Sequence, residues 1–390
     1  MRKPLIIIII LILIAITITV FVPPYIDKKT NTVLYKEPIQ ISDAARQLYD
    51  SLPFIADFHS DALLWDRNLL KKNDAGAVDI PRMQQSNMAL QAFTIVTKTP
   101  YGLNFNSNSA DAFDMTTALY ILQARPLSSW FDLSERVLVQ CRALHKAAEK
   151  SEGTFRVISS KKELESFISD RQQDASLSAG FLGIEGLHCL ENKLENIDEF
   201  YKAGVRMMAP VHFFDNEVGG SAHGVKKGGL TPFGKEVIRK CESKNIIIDV
   251  AHCSPALLDD ILAVATRPLV SSHGGIYGTH PSVRNLTDQQ LKAIAATGGL
   301  IGIGCWEAAL GGKDIHATAK AMIYTARLVG VEHVCLGTDN DGAIASYVGI
   351  TGLPLLVEAL IKQGMSPADI ALVMGGNMRR FLLENFPEGE

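Results

Sequence analysis

The chain has 390 residues, enough for one large domain or two ordinary ones. With 47% hydrophobic and 21% charged residues it has the make-up of a packed globular enzyme, and a net charge of −4 without any basic stripe argues against nucleic acid as a partner. Six cysteines (Cys141, Cys189, Cys241, Cys253, Cys305 and Cys335) show neither CxxC nor zinc-finger spacing, so most read as small buried hydrophobes.

The first residues differ from the rest. Arg2 and Lys3 precede a run over residues 5–22 without charge, Gly or Pro. As a helix those residues rise ~27 Å, close to the hydrocarbon thickness of a bilayer. Pro23-Pro24 is expected to end the run. It lacks a small-x-small cleavage signature, so residues 1–24 are read as an uncleaved membrane anchor. The N-terminus then lies in the cytoplasm and the domain on the outer, periplasmic or extracellular, side. Secretion after signal cleavage is the alternative. Residues 25–43 read as a polar tether, and residues 44–390 as one domain.

From residue 44 a rhythm sets in of a short apolar run, a polar loop and a helical pattern. Eight runs stand out, over residues 54–58, 90–96, 179–184, 205–211, 246–250, 268–271, 299–304 and 334–337. Apolar periodicity of 3.6 is clearest over 232–243, 255–265, 287–296 and 314–329. Runs that are apolar on both faces and alternate with helices predict a parallel sheet, and eight of them predict a closed (β/α)₈ barrel of the TIM type. Residues 97–109 read as a loop, 110–150 as a long helical insertion, and 353–360, 367–374 and 378–386 as closing helices.

The residues at the strand ends are informative. The runs end in Asp57-Phe58-His59-Ser60-Asp61, Glu185-Gly186, His212, Asp249-Val250-Ala251-His252, His273-Gly274-Gly275 and Asp339-Asn340-Asp341-Gly342. The C-terminal rim of such a barrel is where active sites sit, and imidazole and carboxylate are zinc ligands. His59 and Asp61, two apart on a strand, are expected to share a face. Glu185 lies between the two ligand groups in strand order and can bridge two ions: one held by His59, Asp61 and Glu185, the other by Glu185, His252 and His273. Two close cations lower the pKa of a shared water, giving a metal-bridging hydroxide as nucleophile. Asp339, outside the ligand count, is expected to be the general acid/base. His212 is placed to stabilise the oxyanion. Asp57 shares the period of His59 and is expected to hold an imidazole. Asp341 is assigned to its turn. His145, His188, His223, His280, His316 and His333 read as surface or loop residues, with His223 in a Gly-rich loop over 219–229 that could cover the site.

In this order the pieces Asp57-x-His59-x-Asp61, Gly183-Ile184-Glu185-Gly186, His212 with Asn216, Asp249-x-x-His252, Ser272-His273, Arg284-Asn285-Leu286-Thr287-Asp288 and Gly337-Thr338-Asp339-x-Asp341-Gly342 resemble the membrane dipeptidase (renal dipeptidase) family. The resemblance runs from about residue 55 to about residue 376. It implies a binuclear zinc peptidase acting on dipeptides. It supports the five metal ligands, His212 as a substrate and transition-state contact, Asp339 as acid/base, and Arg284 as partner of the substrate's C-terminal carboxylate. A homodimer is expected from resemblance alone, and other divalent ions fit similar ligands. Departures are Phe58 where the family often has Gly, Ser60 where it often has Asn, and Cys305-Trp306 where the type subgroup has an aromatic hydroxyl. The family's mammalian members carry a C-terminal lipid-anchor signal, whereas this chain's attachment is read at the other end. Two alternatives are another amidohydrolase-type activity on an amide or lactone, and a non-catalytic membrane-tethered binding protein. The first often bridges its metals through a carboxylated lysine, and no lysine sits at a strand end. The second is expected to lose ligands, and the set is complete.

Overall fold

The structure, a computed structural model, describes residues 2–389. Eight parallel strands form the barrel: β1 (Ile55–Ser60), β2 (Met88–Val96), β3 (Ser178–Glu185), β4 (Val205–Ala209), β5 (Ile247–Ile248), β6 (Val270–Ser271), β7 (Leu300–Ile303) and β8 (Val334–Leu336). Hydrogen-bonded neighbours run β5-β4-β3-β2-β1-β8-β7-β6. A parallel bridge between Asp249 and Val270 joins the two edges. All eight predicted runs are therefore barrel strands. Every residue of every barrel strand is buried, as expected of a parallel sheet with both faces covered. A further strand, Phe155–Val157, pairs with the start of β3.

Helices begin where side chains cap them. Thr231 accepts from Gly234 N ahead of Pro232–Ser243, and Ser254 accepts from Leu257 N ahead of Pro255–Val264, each with Pro in the first turn. Thr287 and Gln290 form a reciprocal capping box at Asp288–Ala296. Two apolar layers result. One lies between strands and helices. The other fills the barrel interior, where Ala56, Phe58, Phe181 and Met207 meet Phe381 and Phe386 from the closing helix Asn377–Asn385 and its C-cap. The Phe58 ring sits edge-on to Phe181 and near-perpendicular to Phe381, with centroids 6.3 Å apart in both pairs. Phe58 thus serves as a plug in the interior and leaves the rim free.

Three expectations change. The N-terminal helix does not stop at Pro23-Pro24 but runs Arg2–Thr30. The stretch read as a tether is docked on the barrel rim. Pro23, Asp27 and Asn31 are buried, Ile26 packs against a cluster containing Leu64, Trp65 and Tyr120, and Thr32–Val33 pairs in parallel with Ala345–Ser346. The insertion at 110–150 is broken into Met115–Leu122, a 3₁₀ turn at Leu127–Ser129 and Leu133–Lys150. Pro126 caps that turn and Asp132 caps the last helix, so the chain restarts twice. The described cysteines are all free, and five of the six are buried.

Candidate metal centre and active site

The eight residues singled out from the sequence come together at the C-terminal rim. Seven of them (Asp61, Glu185, His212, His252, His273, Arg284 and Asp339) line one cavity of about 180 Å³. The eighth, His59, lies just beneath, its Nε2 3.5 Å from Asp61 Oδ1, 3.6 Å from Glu185 Oε2 and 3.9 Å from Asp339 Oδ1. Glu185 is central. Its Oε1 is 2.9 Å from His252 Nε2 and 3.4 Å from His273 Nε2, and its Oε2 is 3.3 Å from His212 Nε2.

The local chain path explains the convergence. The pairing of β1 with β2 is irregular between Asp57 and Ser60. That irregularity separates Phe58, which packs inside, from His59, which reaches the rim. Asp61 lies past the strand end, at the N-cap of the 3₁₀ turn Ala62–Trp65, so simple strand alternation is not what brings it beside His59. Thr94 of β2 donates to Asp61 Oδ1 at 2.6 Å. His252 (φ 63°) and Asp339 (φ 60°) both occupy the left-handed region. Side chains rarely adopt it unless neighbouring contacts enforce it, and it recurs at functional sites.

A second tier orients the imidazoles. Ser272 Oγ lies 3.1 Å from His59 Nδ1 and 2.9 Å from His273 Nδ1. A hydroxyl oxygen can accept from both N–H groups, which leaves both Nε2 lone pairs aimed into the site. Asp249 Oδ1 fixes this serine by accepting from Ser272 N at 2.8 Å. Asp57 does not hold an imidazole. It accepts from Thr338 N at 2.8 Å, Thr338 Oγ1 at 2.6 Å and Gln91 Nε2 at 3.1 Å, tying the end of β8 to β1.

The charges are those of a site built around a cation. His252 Nε2 and His273 Nε2 face each other at 3.1 Å, and His59 Nε2 and Glu185 Oε1 are buried without a hydrogen-bond partner. Burial holds His212, His252 and His273 well below the usual imidazole range, so they are neutral and their lone pairs free. Burial also lowers His59, but the carboxylates of Glu185 and Asp61 outweigh it and hold that imidazole well above its ordinary value. Burial raises Glu185 and Asp339, the latter strongly. Acceptors crowded together without donors are what a divalent cation satisfies. Three groupings bring ligand atoms within 4.8 Å of one another: His59, Asp61 and Glu185; Glu185, His212 and His252; and His59, His273 and Asp339.

Arg284 is buried at the cavity edge. Among the described residues no carboxylate lies within 4 Å of its guanidinium, whose one hydrogen bond is a 3.5 Å contact to His273 O. The opposite walls are apolar: Leu64, Val96, Leu103, Phe105, Phe213 and Trp306. Two histidines read as surface or loop residues are in fact buried beside the site. His223 packs between Phe105 and Phe213, and its Nδ1 donates to Phe105 O at 2.7 Å. His188 meets Thr97 Oγ1 at 2.7 Å. Burial brings both down to about 3. Arg136, fully buried, donates to Thr97 O and Asp114 Oδ2, each at 2.6 Å, and so braces the loop that carries Thr99, Leu103 and Phe105. No sequence motif marks Arg136, because its partners lie in a loop without periodicity.

A parallel (β/α)₈ barrel with imidazoles and carboxylates converging at its C-terminal rim defines a metal-dependent hydrolase. The family model for membrane dipeptidases, peptidase family M19, matches residues 42–385. The chain therefore belongs to the membrane dipeptidase family, and it is a metal-dependent dipeptidase. Among its relatives is dipeptidase tcpJ of Claviceps purpurea, 26% identical over 365 residues, which cover 90% of this chain and 79% of that protein. An uncharacterized protein in the pqqA 5′ region of Klebsiella pneumoniae is 30% identical over 258 residues, 62% of this chain and 93% of that protein. Two solved structures share the fold. The probable dipeptidase PvdM of Pseudomonas aeruginosa has a TM-score of 0.73 at 18% identity, covering 89% of this chain and 98% of that one. A metallo peptidase from Rhodobacter sphaeroides, liganded with a phosphinate mimic of the dipeptide L-Ala-D-Ala, has a TM-score of 0.67 at 23% identity, covering 85% and 99%.

Proposed function

We propose that this enzyme hydrolyses dipeptides with two zinc ions, one held by His59, Asp61 and Glu185 and the other by Glu185, His252 and His273. The observation that carries this is Glu185 itself, whose two oxygens face different sets of imidazoles at 2.9–3.6 Å. When bound, the ions supply a hydroxide nucleophile at neutral pH and polarise the scissile carbonyl.

The chain's own groups do the rest. Arg284, buried and without an acidic partner, binds the C-terminal carboxylate of the substrate through its planar fork. His212 Nε2 points into the cavity and donates to the carbonyl oxygen as negative charge develops there. Asp339 takes the proton of the attacking water and delivers it to the leaving amine; burial raises its pKa, which suits both halves of that transfer. The apolar walls exclude bulk water, and a cavity of about 180 Å³ suits a very small substrate. The phosphinate dipeptide mimic bound by the Rhodobacter sphaeroides structure supports a dipeptide here.

The grouping of His212 with Glu185 and His252 favours a second reading of that residue, as a metal ligand. His212→Ala separates the two: retained metal with lowered kcat supports oxyanion stabilisation, and loss of one ion per chain supports ligation. The central test uses the full-length protein in detergent. Bound metal is measured, and L,L- and L,D-dipeptides are assayed before and after chelation. About two zinc ions and chelator-sensitive cleavage are expected. Metal without cleavage of any dipeptide would move the substrate elsewhere, and absence of metal would refute the assignment.

The N-terminal helix supports a membrane anchor with the catalytic domain on the outer side. Its apolar span has a mean hydropathy of 3.5 and is 0% buried, and Arg2 and Lys3 lie at its start. Release of the intact chain by alkaline carbonate would contradict anchoring, and cleavage of the domain by protease added to the cytoplasmic face would contradict the side.

A further inference from the structure

The docked end of the N-terminal helix reaches the cavity through a chain of buried polar contacts. Asn31 follows the last residue of the helix, and its backbone N–H donates to Asp27 O at 2.8 Å, which brings the two side chains together at the helix end. Asp27 Oδ2 is 3.1 Å from Arg67 Nε, and Asn31 Nδ2 donates to Asp27 Oδ1 at 2.7 Å. Arg67 grips Asp341 with both terminal nitrogens, at 3.0 and 3.2 Å. Asp341 also accepts from Ala77 N at 2.7 Å and Val78 N at 3.1 Å, and its carbonyl accepts from Trp65 Nε1 at 2.6 Å. Asn31 Oδ1 accepts directly from Ala343 N at 2.8 Å. Thr32 N and Leu34 N continue the grip on Ile344 O and Ser346 O, at 3.2 and 2.9 Å.

The gripped segment is the one after β8. Gly342, Ala343 and Ile344 line the cavity beside Asp339. Three of its residues other than glycine, Asp339, Asp341 and Ala343, have φ of 60°, 69° and 56°. Left-handed residues in such density persist only where surrounding contacts over-determine them, and here residues 27–34 and Arg67 supply those contacts together with Asp61, Trp65, Ala77 and Val78. The carboxylate of Asp339 rests on Gly342, where an added Cβ would stand 2.4 Å from Oδ1. Movement of the segment therefore moves both the cavity wall and the Asp339 carboxylate.

We propose that Asp27 and Asn31 are positioning residues of the substrate pocket: acting through Arg67, Asp341 and Ala343, the membrane-proximal turn of the N-terminal helix holds one wall of the active site. The proposal rests on the reading of this cavity as the dipeptide site. The juxtamembrane turn is then part of the catalytic unit, and substrate affinity depends on residues well outside the barrel sequence.

The test uses the full-length protein in detergent, with Asn31→Ala and Asp27→Asn as variants and Lys28→Ala, on an exposed position of the same turn, as control. Loss of one buried hydrogen bond of this kind is expected to raise KM about threefold to tenfold. kcat should fall alongside, because the Asp339 carboxylate moves with the wall, while bound metal should stay within about twofold of the parent and Lys28→Ala should match the parent throughout. Thermal midpoints check that each variant is folded; if Asn31→Ala is not, Asp27→Asn decides. Unchanged KM in folded variants overturns the proposal, as does activity that falls only in proportion to the folded, metal-loaded fraction. If the parent protein itself cleaves no dipeptide, it is the reading of the site that fails, and the variants are not what shows it.

Discussion

Arg284 is the residue whose environment is hardest to explain by stability. A guanidinium buried without a carboxylate within 4 Å costs free energy that the more distant charges of Asp339, Glu185 and Asp249 offset only in part, and burial lowers its pKa accordingly. Arg284→Met is therefore expected to raise the thermal midpoint while raising KM for dipeptides by about 10- to 100-fold, the loss of a charge-assisted pair. A fall in both midpoint and kcat with unchanged KM would mean a structural arginine instead. Asp339→Asn is expected to keep its metal and lose about 10²- to 10⁴-fold in kcat. Metal analysis checks this directly, because Asp339 also lies within ligand reach of His59 and His273. Glu185→Ala, which removes the carboxylate that faces His59, His212, His252 and His273, is expected to lose metal and activity together.

At the scale of elements, the strand ends were legible because in a parallel barrel the position after each strand is a position in space. His59, Glu185, His212, His252, His273 and Asp339 each follow an apolar run, and the barrel closes them into one ring. The loops were not legible in the same way. Ser272 was visible only as a neighbour of His273; that one hydroxyl serves two imidazoles depends on β1 and β6 approaching across the barrel. His223 and His188 carry no local sign of burial, because Phe105, Phe213 and Thr97 reach them from other loops. The loop over 219–229 folds around Asp215, whose carboxylate accepts from Ser221 N, Lys226 N and Lys227 N. It closes so tightly that a Cβ on Gly220 would stand 2.2 Å from Gly228 N. Gly220→Ala is thus expected to displace this loop. Its Ala222 N donates to His252 O, so one bound ion per chain should be weakened, read as faster metal loss to a chelator. The run of the N-terminal helix through Pro23-Pro24 reflects docking contacts that local propensity does not contain, whereas the break of the long insertion is written locally, in Pro126 and the cap Asp132.

For the whole molecule, the metal and the fold are linked. Without cations the rim holds several buried acceptors without donors, and protons take the ions' place. Burial raises Glu185, and His59 is held protonated by its carboxylate neighbours, so the metal-free site carries protons that ligands must give up. Metal loading is therefore expected to release protons, and metal affinity to rise with pH, since each raised group binds an ion only after losing its proton. Proton release on titrating zinc into the metal-free enzyme in weak buffer measures this, and proton uptake would contradict it. Chelation should lower the thermal midpoint, because an ion that binds only the folded state stabilises it by about 4 kcal/mol at a thousand times its Kd.

If the N-terminal helix is the anchor proposed above, its docking at the catalytic end of the barrel also bears on how substrate arrives. With residues 5–22 spanning a bilayer, the helical turns through Thr30 leave only ~12 Å of rise between hydrocarbon and barrel rim. On that reading the catalytic rim lies close to the headgroup layer, and a lipid surface borders the approach to it. A dipeptide would pass through such a gap from the side, whereas a folded protein or a long chain would meet the bilayer first. Selection for short substrates begins, on this geometry, in the space outside the pocket.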